Sequence, residues 1–159
     1  MEEKFTHLDN KGNPSMVDVG DKAITKRVAI ARSIVVLEDK ILDQLENDDI
    51  KTKKGSVFQT AIIAGVMAAK KTSDLIPLCH PIGLDNCQVR IHVNKNKEVV
   101  VECETSITSK TGVEMEALTG ASIAALTIYD MCKAFSHNIV IKETRLVKKT
   151  GGKKDFELK

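Results

Sequence analysis

A carboxylate and an ammonium group stand three positions apart near the end of the most apolar segment of the chain, as Asp130 and Lys133. Residues with this spacing are neighbours on a helix surface, so the two side chains can form a direct ion contact. One interpretation is a structural ion pair at the C-terminal end of a helix. The other is an acid/base pair, with pKa values shifted by burial, that moves protons on a substrate. The spacing leaves both open.

The same segment carries two further carboxylates near its start, Glu114 and Glu116. On a helix, Glu116 and Asp130 would lie about 40° apart around the axis and roughly 21 Å apart along it. That separation excludes a catalytic dyad but allows the two groups to line opposite ends of one groove. Glu114 also follows Thr111 with the spacing of a capping box. Glu114 therefore either caps the helix or serves a site.

A histidine stands between two prolines in residues 74–81, DLIPLCHP. Pro81 favours an extended backbone at His80, and Pro77 fixes the approach from the other side. The pattern is typical of a rigid turn or of a firmly positioned ligand-binding histidine. Cys79 points to the opposite side of an extended segment, which disfavours a metal site or a nucleophile pair built from Cys79 and His80.

Two basic segments with glycines could bind phosphate: residues 53–55 (KKG) and 148–154 (KKTGGKK). Lys54 precedes a predicted helix N-terminus, where backbone N–H groups attract anions. The paired glycines would let the backbone approach a ligand closely. The P-loop pattern is absent. The lysines are either solvated surface charges or, several together, the cations of a polyphosphate site.

The periodicity of apolar residues predicts the elements that position these groups. On the first strand, the apolar face is predicted to carry Val28, Ile30, Ile34 and Val36, interrupted by Arg32. Ser56 and Gln59 have capping-box spacing at the start of a helix. The strands are predicted at 26–37, 87–93, 99–105 and 138–147, and the helices at 38–46, 56–71 and 114–134.

This order of elements predicts an α+β fold, the ferredoxin-like split βαβ plait, with an antiparallel sheet and helices on one face. The other sheet face would be left for a partner subunit to cover. A length of 159 residues fits one domain. We expect residues 1–15 to form an N-terminal arm and residues 16–159 a single domain with a flexible basic C-terminal tail.

The composition excludes several classes of protein. Lysine and arginine number 24 against 22 aspartates and glutamates, and this net charge of +2 is weak for a nucleic-acid binder. With one tyrosine and no tryptophan, few side chains could stack on bases. No segment approaches the ~20 apolar residues that span a bilayer, so no membrane role is expected. Four cysteines without CxxC spacing and no visible export signal predict reduced thiols and a cytoplasmic location.

Five motifs follow one another along the chain: MVDV (16–19), KGSVF (54–58), DLIPLCHP (74–81), KTGVEMEALT (110–119) and IYDMCKA (128–134). Together they resemble the MoaC family of molybdenum cofactor biosynthesis. The resemblance covers about residues 5–156, and no motif position departs from the family pattern. The differences lie in the arm, in residues 38–53 and in the predicted hairpin.

The resemblance implies a lyase without a metal or organic cofactor. Its substrate would be 3′,8-cyclo-7,8-dihydro-GTP, made by a radical-SAM GTP cyclase that could hand it over in a transient contact. The reaction opens the five-membered ring of the purine, rebuilds a pterin, closes a cyclic phosphate and expels diphosphate. The subunits would form a hexamer, a trimer of dimers, with active sites at subunit interfaces. The alternative is a non-catalytic hexameric module that binds the nucleotide triphosphate.

The resemblance also implies roles for individual residues. Asp130, Lys133 and Lys54 match the catalytic residues of the family, which favours the acid/base interpretation of the ion pair. His80 would then contact substrate, and Glu114 stays open between capping and the site. The full set of implied substrate-binding residues is Leu78, Cys79, His80, Met115, Glu116, Glu114, Arg27 and Lys149.

Overall fold

The computed structural model describes residues 8, 9 and 11–158, so residues 1–7 and 10 of the predicted arm and residue 159 of the predicted tail lie outside the described part. The strands are β1 (Thr25–Val36), β2 (Leu45–Glu46), β3 (Asp49–Thr52), β4 (Gly55–Ser56), β5 (Asn86–Val93), β6 (Glu98–Ser109), β7 (Val140–Thr150) and β8 (Phe156–Glu157). The helices are α1 (Asp39–Leu42), α2 (Val57–Ala69), α3 (Thr72–Leu75) and α4 (Glu114–Cys132).

The main sheet has five antiparallel strands in the order β5-β6-β1-β7-β8. The two long helices, α2 and α4, pack on each other and on one face of this sheet. The order of β5, β6, β1 and β7 agrees with the ferredoxin-like plait that the sequence predicts. The β5–β6 hairpin is also confirmed, with its turn at 94–97.

The buried face of β1 is the opposite of the predicted one. Small residues dominate the face toward the helices, and Ala29, Ala31 and Val35 are fully buried there. Small side chains allow α4 to approach the sheet closely, so steric fit decides the face rather than hydrophobicity. Of the β-branched residues expected to be inside, Ile34 is buried, whereas Val28, Ile30 and Val36 are only partly buried. On that face Arg32 pairs with Glu102 at 3.0 Å.

The two helices cross at glycines. A Cβ on Gly65 would lie 2.9 Å from the carbonyl oxygen of Gly120, and a Cβ on Gly120 would lie 2.5 Å from the sulfur of Cys103 on β6. Both distances are below the separation that packed carbon atoms tolerate. The glycines therefore let α2, α4 and the sheet meet in one dense core.

Residues 38–56 differ from the prediction of a single short helix. Only the four residues of α1 are helical, and the chain then forms a small three-stranded sheet, β2-β3-β4. Asn47 and Asp48 turn the first hairpin with φ of 52° and 60°, values at which short polar side chains are tolerated. The small sheet carries Lys54 in its second turn.

The predicted capping box at the start of α2 is also wrong. Ser56 makes no side-chain bond to the helix N-terminus. Instead, the carboxylate of Asp49 accepts the backbone N–H groups of Phe58 at 2.8 Å and Gln59 at 3.3 Å. A residue from a neighbouring strand performs the function that a local motif was expected to perform.

The last long strand extends three residues beyond its predicted end. Lys148 and Lys149 belong to β7, and the chain returns as β8 to pair with them. These two lysines were predicted to lie in the tail. Their positions on a strand point their side chains to opposite faces of the sheet.

Candidate functional site

A cleft of about 380 Å³ opens between the N-terminal end of α4 and the loop after α3. It brings together most of the residues predicted to bind substrate, which belong to two motifs far apart in sequence. An apolar hollow of about 590 Å³, with Pro14 and Pro77 in its wall, adjoins the cleft. The predicted residues that line the cleft are Leu78, Cys79, His80, Glu114, Met115 and Glu116.

Glu114 is not a capping residue. The helix begins at Glu114 itself, and its N-cap residue, Val113, makes no side-chain capping bond. The carboxylate instead lies 3.1 Å from the ammonium nitrogen of Lys149, and both side chains are about one-third exposed. Glu114 thus links α4 to β7 at the edge of the cleft. This geometry favours the site interpretation that the sequence left open.

Arg27 lies beside this pair, at a small recess that it shares with Glu114 and Lys149. Its Nη2 donates to the carbonyl of Lys110 at 3.5 Å. Within residues 8–9 and 11–158, its buried Nε has no hydrogen-bond partner. A buried donor without a partner is costly, and the recess, of about 10 Å³, has room for about one water molecule to accept from it.

Glu116 is the most deeply buried carboxylate of the site, with 4% of its surface exposed. Burial raises its pKa, and the nearby charge of Glu114 adds to the effect. Burial also raises the pKa of the Cys79 thiol, and the Glu116 carboxylate raises it further. Glu116 can therefore hold or release a proton nearer neutral pH than an exposed glutamate.

His80 fixes one wall of the cleft. Its Nε2 lies 2.8 Å from the carbonyl oxygen of Val17, so this nitrogen carries the proton and donates it. Lys110 donates to the carbonyl of Gly20 on the same segment. Residues 17–22 are thereby held across the cleft. Among residues 8–9 and 11–158, no three His, Cys, Asp or Glu side chains lie close enough together to hold a metal ion.

Asp130, Lys54 and Lys133 meet at the other end of α4. Lys133 approaches one carboxylate oxygen of Asp130 at 2.6 Å, and Lys54 approaches the other at 3.2 Å. Bonds from Lys133 and then Lys54 lower the pKa of Asp130, and Asp130 raises the pKa of Lys133. All three side chains are about half exposed. The acid/base interpretation assumed that Asp130 and Lys133 are buried, and within one chain they are not.

The predicted site residues thus form two groups at opposite ends of one helix. The first group surrounds Glu114 and Glu116, and the second surrounds Asp130. Asp130 follows Glu116 by fourteen positions, which corresponds to roughly 21 Å along a helix. No single small substrate bridges that distance within one chain. The two groups are therefore separate within one chain.

Several cleft residues escaped the sequence analysis as individual candidates. They lie in four connecting segments, namely the loop before β1, the loop between α3 and β5, the loop between β6 and α4, and the C-terminal turn. No periodicity identifies a functional position in such segments, and only the MVDV and KTGVEMEALT motifs and the basic glycine segment gave a signal for some of them. The additional cleft residues are Val17, Val19, Lys22, Ile82, Thr111, Gly112 and Lys153.

Comparison with protein families matches residues 16–152 to the MoaC family. A cyclic pyranopterin monophosphate synthase of Xanthomonas axonopodis pv. citri is 50% identical over 153 residues, 96% of this chain and 93% of the relative. A molybdenum cofactor biosynthesis bifunctional protein of Synechocystis is 52% identical over 155 residues, 95% of this chain. Molybdenum cofactor biosynthesis protein 1 of Dictyostelium discoideum is 50% identical over 167 residues, 94% of this chain.

This chain spans only 45% of the Synechocystis relative and 26% of the Dictyostelium relative, but nearly all of the Xanthomonas one. None of the helices in the described ranges is long and apolar enough to cross a membrane. The family match covers both ends of α4 and therefore both groups of site residues. The chain belongs to the MoaC family.

Proposed function

We propose that this chain converts 3′,8-cyclo-7,8-dihydro-GTP to cyclic pyranopterin monophosphate and releases diphosphate, as a lyase of molybdenum cofactor biosynthesis. The Xanthomonas synthase supports this activity, because it has half of its residues in common with this chain over nearly equal lengths. The cleft supports it independently. Its cations, carboxylates and apolar wall match a substrate with a triphosphate and a fused ring.

The leaving diphosphate requires positive charge, because little covalent chemistry falls to the protein in such a step. We assign the phosphates to Arg27 and Lys149, two cations that border the recess beside the cleft. Ring opening and closure require several proton transfers. Glu116 in the cleft and Asp130 with its two lysines are the groups that can carry them.

A complete site requires two chains. The group around Asp130 from one subunit would meet the cleft of another, which would also supply the burial that Asp130 and Lys133 lack in one chain. Apolar side chains exposed on the helices support such an assembly, since Ile63 is 60% and Leu126 53% exposed. We propose the hexamer, a trimer of dimers, as that assembly, with transient contact to the radical-SAM cyclase as the route of substrate entry.

Mixed oligomers test the shared site. An Asp130→Ala chain keeps an intact cleft, and a Glu114→Ala chain keeps an intact Asp130 group. Each variant alone is expected to be inactive. After subunit exchange, random mixing of equal amounts should restore about a quarter of the sites. Diphosphate release from enzymatically prepared substrate is the measurement.

A second mixture provides the matched control. Lys54 and Asp130 belong to the same group in the same chain, so Lys54→Ala and Asp130→Ala chains cannot complement each other. No activity beyond the residual activity of the two separate variants is expected from that mixture. Equal recovery in both mixtures, or none in the first despite proven exchange, would contradict the shared site. Substrate binding without diphosphate release by the wild type would contradict the lyase activity itself.

A further inference from the structure

The carboxylate of Asp49 accepts the hydrogen bonds that hold together the segment in which Lys54 lies. The residue is 9% exposed, and its side chain accepts four hydrogen bonds. Oδ1 accepts the backbone N–H groups of Ile50 at 2.7 Å and Phe58 at 2.8 Å. Oδ2 accepts the hydroxyl of Ser56 and the backbone N–H of Gln59 at 3.3 Å.

These bonds connect the two ends of the second hairpin of the small sheet, formed by β3 and β4. The donors lie on both sides of the turn, Ile50 before it and the other three after it. Within the turn, the hydroxyl of Thr52 accepts the backbone N–H of Lys54 at 3.1 Å and donates to the carbonyl of Gly55 at 3.2 Å. Gly55 has φ of 110°, a conformation that favours glycine. The base and the tip of the hairpin are therefore both fixed.

The fixed tip determines where the Lys54 ammonium lies. Lysine has a long, flexible side chain, and an exposed ion pair loses much of its strength when its backbone anchor is free to move. Lys54 nevertheless reaches Asp130 at 3.2 Å across two elements of the fold. We propose that Asp49 is a positioning residue that holds Lys54 against Asp130, an inference that rests on the proposed function of that group.

The bonding pattern requires a carboxylate. In Asp49→Asn, one of the two oxygens becomes an NH₂ group, which is a donor. The backbone N–H groups of Phe58 and Gln59, on different oxygens, cannot both keep an acceptor. The amide variant therefore keeps the volume of the side chain and releases part of the hairpin. Ser56→Ala removes a single bond and provides a milder variant if Asp49→Asn folds poorly.

A double-mutant cycle with Lys54→Ala tests the inference. If Asp49 acts through Lys54, Asp49→Asn should lower kcat roughly threefold to a hundredfold in the wild-type background. In the Lys54→Ala background, the same substitution should change the residual kcat less than about twofold. Asp48→Asn is the matched control, because Asp48 is exposed and asparagine tolerates its φ of 60°.

A purely structural role predicts a different result. Asp49→Asn would then lower kcat by the same factor in both backgrounds, and that outcome would overturn the inference. Loss of thermal stability alone does not distinguish the two, because a helix cap also stabilises the fold. If Lys54→Ala leaves turnover unchanged, the proposed function of Lys54 fails and the inference fails with it.

A second readout does not depend on turnover. Hydrogen exchange at the Lys54 amide reports the anchoring of the hairpin tip, because that N–H is bonded to Thr52. We expect faster exchange there in Asp49→Asn and in Ser56→Ala, and an unchanged rate in Asp48→Asn. Unchanged exchange at Lys54 in Asp49→Asn would overturn the positioning role, whatever the activity of the enzyme.

Discussion

The ammonium nitrogen of Lys149 lies 3.1 Å from a carboxylate oxygen of Glu114, and this contact joins the end of β7 to the first residue of α4. The neighbouring Lys148 pairs with Glu157 on β8 at 3.3 Å. Because successive side chains of a strand alternate between faces, one of two adjacent lysines reaches the site and the other does not. Lys148 is therefore a matched control for substitutions of Lys149.

If Lys149 binds phosphate as proposed, Lys149→Ala should raise KM for the cyclised nucleotide roughly tenfold to a hundredfold, because a charged hydrogen bond would be lost. Lys148→Ala should change KM less than about twofold. Steady-state diphosphate release at varied substrate concentration provides the measurement. Similar increases in KM for both variants would show that general positive charge, rather than the position of Lys149, determines binding.

Asp130→Asn should lower kcat by about 10²–10⁴, the range expected when a proton-transferring group is removed. Asparagine keeps the shape of the side chain but cannot hold a proton for the reaction. Asp39→Asn is the control, since Asp39 also forms an exposed ion pair, with Lys97 at 3.0 Å. Diphosphate release is compared at saturating substrate in oligomers of confirmed size. Full turnover by Asp130→Asn would remove Asp130 from the reaction.

The order of long elements could be read from the sequence because each has a strong periodic pattern. The β5–β6 hairpin and α4 illustrate this, with alternation in one and an apolar surface on nearly all sides of the other. The buried face of β1 could not be read in the same way. Ala29 and Ala31 are buried because α4 packs closely against them, and a local pattern does not encode the distance between layers.

Residues of the candidate site could be predicted where they belong to a sequence motif. Residues that only tertiary contacts bring to the site could not. The motif residues around Glu116 and Asp130 were identified, but Lys22 was not, because it lies in a loop without periodicity. The sequence left Glu114 open between capping and the site for a related reason. A local spacing rule competes with any partner that the fold brings near, and here Lys149 provides that partner.

Gly120→Ala should destabilise the fold by about 1–3 kcal/mol, because the new methyl group would overlap the sulfur of Cys103. The better helix propensity of alanine, worth about 1 kcal/mol, offsets part of this cost. Urea denaturation at fixed subunit concentration measures the free energy of unfolding. Gly83→Ala is the control, since nothing lies within 4 Å of a Cβ at Gly83.

A rescue experiment identifies the cause of that loss. Cys103→Ala removes the sulfur, so Gly120→Ala should cost less in the Cys103→Ala background than in the wild type. The difference between the two costs is expected to be about 0.5–3 kcal/mol, the range found for residues in contact. Equal costs in both backgrounds would assign the loss to the backbone contact with Gly65 instead.

Glu116 should make stability fall as the pH rises. Burial, followed by the charge of Glu114, raises its folded pKa above the ordinary value of 4.5. Between the two pKa values the folded state binds more protons than the unfolded state, so the free energy of unfolding decreases with pH across that window. Glu116→Gln has no proton to lose and should not show this decrease.

The free energies of unfolding of wild type and Glu116→Gln are therefore compared at a series of pH values starting below 4.5. At the lowest pH both side chains are neutral, so the difference there reports the substitution alone. We expect the variant to gain stability relative to the wild type as the pH rises, until the folded carboxyl has ionised. A difference that stays constant with pH, or moves in favour of the wild type, would mean that the cleft accepts the charged carboxylate without penalty. Glu116 would then be unsuited to hold a proton for the reaction.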